Sequence, residues 1–511
     1  MTDVSEVRPM FAKVLVANRG EIAVRVMRTC REMGIPTVAV FSEPDRHSQH
    51  VRYADEAFLV GPAPSSESYL VIDRILEVAR SSGADAIHPG YGFLSENADF
   101  AQRCQDDGIT FIGPSPDAIR AMGDKTAARA LMEEAGVPMA PGTTGAIRDE
   151  EEALAVAEQI GYPVLIKAAA GGGGKGMRVV NAREELPSAL RGAQGEAGSA
   201  FADSRVFVEK FIQQPRHIEF QLLGDKHGNY VHLFERECSI QRRHQKVIEE
   251  APSAVLSPEL RATMGEAAIE AAKSVDYFSA GTVEFLVDES GAFYFMEMNT
   301  RLQVEHPVTE LITGVDLVAE QLRIAAGMPL RFKQEDLSIS GHAIECRIYA
   351  EDPANQFLPD PGTLVHHRLP SGPGVRVDTG VAEGDEVPIY YDPMISKLSA
   401  SAEDRDRAID RMTRALDEYQ ITGVRTTIPF CRFAINHAAF RSGKYSTQFV
   451  EEHFTADAMT AMSHQAEGEE QTAAAIAAAL SRHTRDAANS VSVSTSNGSA
   501  RDRWHTRREL R

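Results

Sequence analysis

Between Thr282 and Thr309 the chain gathers carboxylates, amides and cations at strand spacing. Thr282 to Asp288 reads TVEFLVD, with Val283, Phe285 and Val287 on one face and Glu284 and Leu286 on the other. Phe293 to Thr309 reads FYFMEMNTRLQVEHPVT and opens as a second strand. Ser290-Gly291 predicts a two-residue hairpin turn flanked by Glu289 and Ala292. That register sets Glu284 opposite Glu297, with Asn299 on the same face. Two carboxylates so close repel unless a cation lies between them. All-oxygen donors suit a hard ion, Mg²⁺ or Mn²⁺, of the kind that also holds substrate phosphates. Arg301, Gln303, Glu305 and His306 follow at once, a set able to grip and deprotonate a small anion. The bland alternative is an amphipathic hairpin with a wet polar face.

A second candidate is the glycine run from Gly171 to Gly176, in which Gly172, Gly173, Gly174 and Gly176 surround Lys175. A strand is predicted after it, so it is not the dinucleotide fingerprint, which needs a helix there. Gly176 stands where a P-loop needs Ser or Thr. What remains is a strand–loop–strand cap whose backbone N–H groups can close over phosphates. Lys167 ends the strand entering it and reaches a phosphate, or else is a solvated strand end. Val206 to Ile212 (VFVEKFI) runs into a bend able to present backbone groups and a carboxylate to an adenine, with Ile212 packed on the ring. Glu237 to Glu250 (ECSIQRRHQKVIEE) is the densest polar run, read as a phosphate and anion cradle over a solvated face.

These stretches need a multidomain scaffold. At 511 residues the chain exceeds one hydrophobic core. Net charge is −21, which argues against a general nucleic-acid surface. Only 11 of the 53 basic residues are lysine, so each lysine position is informative. Five scattered cysteines without a Cys-x-x-Cys predict a reduced, intracellular protein. Neither a signal peptide nor a membrane span is expected.

In chain order, Lys13 to Ala17, a helix from Gly20 and Pro36 to Phe41 form a βαβ unit and predict a parallel sheet. A helix over 70–79 and a short strand at 86–87 lead to the turn-rich segment 88–96, at the strand end where open α/β sheets bind ligands; a plain surface loop is the alternative. Pro116 to Ala135 is predicted as one helix carrying Lys125. Pro138 to Gly142 is a linker or hinge, 149–209 a small mobile α/β segment, and about Pro138 to Lys210 together would close as a lid over ATP. From Phe211 the strands look antiparallel, and the part to about Glu452 is mixed α and β. Beyond it, Glu467 to Leu480 reads as an Ala-rich helix and Ser490 to Ser499 as a linker. Residues 486–500 are expected to be mobile. Arg501 to Arg511 is a basic end holding Trp504, either inert or a tether for an acidic partner surface.

The motifs ANRGEIAVR (17–25), HPGYGFLSEN (88–97), MGDK (122–125), KAAAGGGGKGMR (167–178), ECSIQRRHQKVIEEAPS (237–253), EMNTRLQVEHPVTE (297–310), GHAIECRIYAEDP (341–353) and YDPMISKL (391–398) together resemble the biotin carboxylases, the ATP-grasp part of biotin-dependent carboxylases. The resemblance runs over roughly residues 10 to 452. It implies an ATP-grasp fold preceded by an open parallel α/β domain and followed by a mixed α+β C-terminal domain. The expected divisions are 1–122, a lid at 123–211, a core at 212–340, a C-terminal domain at 341–455 and a tail at 456–511.

The resemblance also assigns roles. Lys125, Lys167, Glu209, Lys210, Ile212, His217, Gln241 and His244 are similar to ATP contacts, and Glu284, Glu297 and Asn299 to metal ligands. Lys246, Arg301, Gln303 and Val304 correspond to a bicarbonate cradle, Glu305 to a general base and Arg347 to the group that stabilises the biotin enolate. It implies a reaction of ATP, bicarbonate and biotin with Mg²⁺ or Mn²⁺. None of the 11 lysines follows a Met, so biotin is expected on a separate carrier protein. A carboxyltransferase partner, a homodimer and a cytoplasmic location are further expectations. Acetyl-CoA, propionyl-CoA and pyruvate carboxylases are all open as the parent enzyme. Alternatives are another ATP-grasp ligase, such as a carbamoyl-phosphate synthetase half or a purine-pathway carboxylase, and a regulatory ATP-binding protein with a decayed site.

Overall fold

A computed structural model describes residues 10–143, 145–169 and 176–460, together with 476, 479, 480 and 482. Gly172, Gly173, Gly174 and Lys175 of the glycine run lie outside the described residues, as do most of the Ala-rich segment, the Ser/Thr/Asn-rich linker and the end with Trp504. The chain divides into two compact units, Met1–His453 and Phe454–Arg511. All strands among the described residues fall in the first.

The N-terminal βαβ expectation holds. Five parallel strands pair in the order Glu56–Gly61, Thr37–Ser42, Val14–Val16, Ala86–His88, Thr110–Phe111. Both faces of this sheet are covered, as parallel sheets require. Val14 and Val16 pack with Ile22, Val26 and Cys30 of the helix Gly20–Glu32. Leu15, on the opposite face, packs with Ile75, Leu76 and Phe100 from two further helices.

The helix expected from Pro116 to Ala135 is two helices, Pro116–Gly123 and Lys125–Glu134. Asp124 between them is extended, and its side chain accepts from the N–H groups of Thr126 and Ala127 at 2.9 and 3.1 Å. Gly followed by Asp is a stop and an N-cap in succession. The break places Lys125 at the first position of the second helix.

Residues 138–210 build a small separate layer. Three antiparallel strands, in the order Arg178–Val180, Val164–Ala168, Val206–Lys210, carry the helices Glu150–Ile160 and Leu186–Phe201. They bury their own apolar cluster, including Ala153, Ala157, Val164, Ile166, Leu190 and Val208. The Pro138 to Gly142 segment ties this layer to the rest: Met139 bridges to Phe295 and Gly142 to Glu209.

The centre is an antiparallel sheet of eight strands, ordered Phe293–Asn299, Ser279–Val287, Arg216–Gly224, Tyr230–Arg242, Gln245–Ala251, His342–Tyr349, Met394–Ala402, Val375–Thr379. It passes without a break across residue 340, where the sequence suggested a division. Glu284 does pair with Glu297, but not by the simple turn expected. The turn holds three residues, Glu289 to Gly291, because Asp288 N–H donates to Ala292 O at 2.9 Å. A register shift between Glu284 and Phe285 leaves Met296 as an extra residue and restores the pairing.

The polar run 237–250 is itself a hairpin, formed by the strands Tyr230–Arg242 and Gln245–Ala251. Its two-residue turn, Arg243-His244, has φ of 48° and 64°. Such turns need a left-handed backbone at both central positions, which Asn-Gly usually supplies.

Candidate active site

Four neighbouring strands place one row of charges across the sheet. Arg236 pairs in register with Glu219, Glu219 with Glu284, and Glu284 with Glu297. Three carboxylates side by side are repulsive unless cations intervene. The cations are present. Arg236, fully buried, donates to Glu219 at 2.5 Å, Gln221 and Thr309 at 2.8 Å, Gln303 at 3.0 Å and Thr282 at 3.1 Å. Lys125 reaches Glu297 at 3.0 Å.

Lys246 is the hub. Its ammonium donates to Glu284 at 2.8 Å, to Glu305 at 2.7 Å, and to Glu219. Burial works against its charge, yet the fields of Glu219, Glu284 and Glu305 hold its pKa well above the usual lysine value. A register shift at Val247 turns Lys246 onto the same side as Glu249, three residues on, where strict alternation would separate them.

Glu305 precedes the helix His306–Thr313 and does not cap it. Its oxygens are taken from two sides, by Lys246 and by Arg347 Nη2 at 2.9 Å. Burial would raise its pKa, but Lys246, Arg347 and Arg236 outweigh it and hold the carboxyl well below its ordinary range. Glu284 is depressed in the same way: burial is overcome by Lys246 and His217. Glu219 ends up raised, because its burial exceeds the help from Lys246 and Arg236.

Other expected residues converge on this row. Gln303 and Asn299 each donate to Glu284 Oε1 at 2.8 Å. Arg301 donates to Asn299 at 3.0 Å and to Glu96 at 2.9 Å, which brings the turn-rich segment 88–96 into the site. Val304 contributes its carbonyl, which accepts from Lys397 at 2.9 Å. His217 Nε2 lies 2.9 Å from Glu284, and Gln241 bonds its other nitrogen at 2.7 Å. His306 turns away from the row, with its Nδ1 2.8 Å from the carbonyl of Gln303.

The expected nucleotide side is more dispersed. Lys167 pairs with Glu209, which also takes Arg129 at 3.2 Å. Lys210 donates to the carbonyls of Gly161 and Tyr162 at 2.9 and 3.1 Å. His244 is exposed at the hairpin tip, Ile212 is half-buried, and Gly176 has a left-handed backbone at φ 72°.

Glu284 and Glu297 supply hard oxygen donors that fit Mg²⁺ or Mn²⁺, in a row that already calls for positive charge. Asn299 Oδ1 is engaged by Arg301, so a metal there would have to share it. Among the described residues, donor atoms of His217, Glu219 and Glu284 also lie within 4.8 Å of one another.

This geometry has counterparts among known proteins. Residues 10–119 match the biotin carboxylase N-terminal domain, 124–333 the carbamoyl-phosphate synthase L chain ATP-binding domain, and 345–452 the biotin carboxylase C-terminal domain. Biotin carboxylase of Nostoc sp. is 55% identical over 86% of this chain and 99% of its own. The chain belongs to the biotin carboxylase family. A pyruvate carboxylase subunit of Methanothermobacter thermautotrophicus is 57% identical over 87% of this chain and 90% of its own. Among solved structures, the Hydrogenobacter thermophilus 2-oxoglutarate carboxylase biotin carboxylase domain dimer, with MgADP, ADP and bicarbonate, matches with a TM-score of 0.84 and 52% identity, over 87% of this chain and 98% of that one. A Campylobacter jejuni biotin carboxylase complex matches at 0.85 and 48%, over 87% and 99%. The chain is therefore an ATP-dependent ligase with an ATP-grasp fold, and the carbamoyl-phosphate alternative falls away on both flanking domains.

Glu96 lies in the segment 88–96 that the sequence offered as a ligand-binding strand end, but Glu219, Arg236 and Lys397 escaped sequence reasoning as individual site residues. Glu219 had a signal, since His217, Glu219 and Gln221 put a polar row on an otherwise apolar strand.

Proposed function

We propose that this biotin carboxylase site divides its work between the two sides of Glu305. Lys246, Arg301, Gln303 and the Val304 backbone hold bicarbonate, and Glu305 removes its proton. Bicarbonate is a poor electrophile, so ATP first converts it to carboxyphosphate. A bound Mg²⁺ or Mn²⁺ on Glu284 and Glu297 supplies charge neutralisation for the transferring phosphoryl group. Lys125, Lys167, Glu209, Lys210, Ile212, His217, Gln241 and His244 make up the ATP side, with the glycine run 171–176 as its cap.

Carboxyphosphate decomposes to CO₂ and phosphate, phosphate takes the N1 proton of biotin, and Arg347 stabilises the resulting enolate with a charge that pH does not remove. The observation that carries this division is Glu305 held between Lys246 and Arg347. A carboxylate so held is a weak base. Bicarbonate, itself an anion, competes for the same cations and so restores basicity to Glu305 on arrival.

Biotin arrives on a separate carrier protein, and a carboxyltransferase partner completes the enzyme. A homodimer and a cytoplasmic location fit this reading; no helix among the described residues is long and apolar enough to cross a membrane. Bicarbonate-dependent ATP hydrolysis, stimulated by free biotin, tests the reaction; its absence would overturn it. Co-purification from the native cell identifies the parent enzyme among acetyl-CoA, propionyl-CoA and pyruvate carboxylases.

A further inference from the structure

Two buried carboxyl groups behind Arg347 take no part in the chemistry above. Glu249 and Glu345 are direct cross-strand partners, and both side chains are fully buried. Glu249 Oε1 accepts from Arg347 Nε at 2.6 Å, and Glu345 Oε2 accepts from Ser399 Oγ at 2.9 Å. The remaining oxygen of each, Glu249 Oε2 and Glu345 Oε1, is buried with no donor. Directly opposed residues hold their Cβ atoms about 4.5–5.5 Å apart, within reach of carboxyl-to-carboxyl contact. Two ionised groups there would repel each other in a medium of low dielectric and leave both oxygens bare. One proton satisfies both orphan oxygens at once and removes one of the two charges.

We propose that Glu249 and Glu345 share a single proton and together position Arg347, presenting one negative charge to its guanidinium instead of two. The proposal rests on the biotin carboxylase reading of the site, in which Arg347 serves the biotin step. With Nε tied to Glu249 and Nη2 to Glu305, the guanidinium plane is fixed. A second charge on Glu345 would draw its positive charge backwards, away from the enolate.

The surroundings agree. Burial raises Glu249 to about 7; Arg347 and Lys246 oppose this, while Glu305 adds to it. Burial raises Glu345 to about 8, with Lys397 and Arg347 opposing and Glu249 adding. From the packed helix, His306 is kept neutral by its burial and by Lys397. The neighbouring thiols of Cys238 and Cys346 are pushed up by burial and stay neutral too. Such a pair titrates as a unit.

The test uses the full chain. In the unmodified protein, an infrared pH titration should show a buried carboxyl C=O band that persists at neutral pH, well above the ordinary carboxylate range, and disappears on alkaline titration. Loss of the shared proton should lower biotin-dependent kcat on the alkaline side, and Glu345→Gln should lose both the band and that alkaline decline. Glu249→Gln removes a charge-assisted hydrogen bond, and should lower biotin-dependent kcat by roughly 10-fold more than biotin-independent ATP hydrolysis. Absence of the band in the unmodified protein overturns the proposal without any variant. An unchanged alkaline limb in Glu345→Gln, or an equal loss of both reactions in Glu249→Gln, also overturns it. Failure of the function reading looks different: the band is present, but free biotin stimulates nothing.

Discussion

Arg347 Nη2 donates to Glu305 Oε2 at 2.9 Å, so the proposed base of the bicarbonate step is the counter-ion of the cation proposed for the biotin step. Neither residue can move without altering the charge its partner feels.

Glu305→Gln keeps the shape of the side chain and removes its basicity. Bicarbonate-dependent turnover should fall by on the order of 10²–10⁴, the usual cost of losing a general base. ATP affinity should stay close to that of the parent. Steady-state kinetics with free biotin measure both, and turnover within a few-fold of the parent would place the base elsewhere.

Lys246→Met leaves Glu219, Glu284 and Glu305 without their shared cation. Breaking a buried charge cluster in this way should cost roughly 3–5 kcal/mol of stability. The pH dependence has a definite sign. Glu284 and Glu305 are depressed in the folded protein, so their contribution is complete above the unfolded carboxylate value and is lost as pH falls towards the folded one. The variant lacks the largest attractive contribution to that depression, with Arg347, Arg236 and His217 left in place, and should lose less on acidification. Thermal unfolding of both proteins at neutral and acid pH checks it; parallel losses would contradict the assignment.

The layer formed by residues 138–210 has its own apolar cluster and a bridge at each end of the Pro138 to Gly142 segment. If it closes over ATP, amide exchange in its strands should slow when ATP and Mg²⁺ are added together. Equal exchange with and without nucleotide would remove the lid from the mechanism.

The Arg243-His244 turn holds two ordinary residues in left-handed backbone at φ 48° and 64°. Replacing the pair with Asn-Gly should relieve about 1 kcal/mol of that strain. The same change removes His244 from the proposed ATP side, so KM for ATP should rise. Thermal unfolding and ATP titration separate the effects; a more stable variant with unchanged KM would release His244 from its role.

What the sequence made legible follows from periodicity. The parallel N-terminal sheet was readable because its strands are short continuous apolar runs separated by a helix, and the Glu284/Glu297 hairpin because Thr282 to Asp288 alternates cleanly. Even so, the hairpin register came out right through two departures that cancel, a longer turn and an extra residue at Met296. The second hairpin was hidden because Arg-His carries none of the usual turn chemistry. The bulge at Val247, which swings Lys246 towards its three carboxylates, leaves no mark in composition at all. Glu249, Arg236 and Glu96 act through partners far away in sequence, and no local window contains those pairs.

The unbroken eight-stranded sheet makes the C-terminal part something other than an exchangeable cassette. His342–Tyr349 is the neighbour that covers Gln245–Ala251, and it also carries Arg347. A chain cut near residue 340 would lose Arg347 and uncover the backbone N–H and C=O groups of Gln245–Ala251 in the same stroke, an invitation to edge-to-edge association. Swapping C-terminal parts between relatives would therefore have to preserve a seam of backbone hydrogen bonds, not merely a linker. Along that seam the separation of Lys246 and Arg347 is set by the pairing of neighbouring strands, so in the proposed mechanism the labile carboxyl group has no gap between domains to cross.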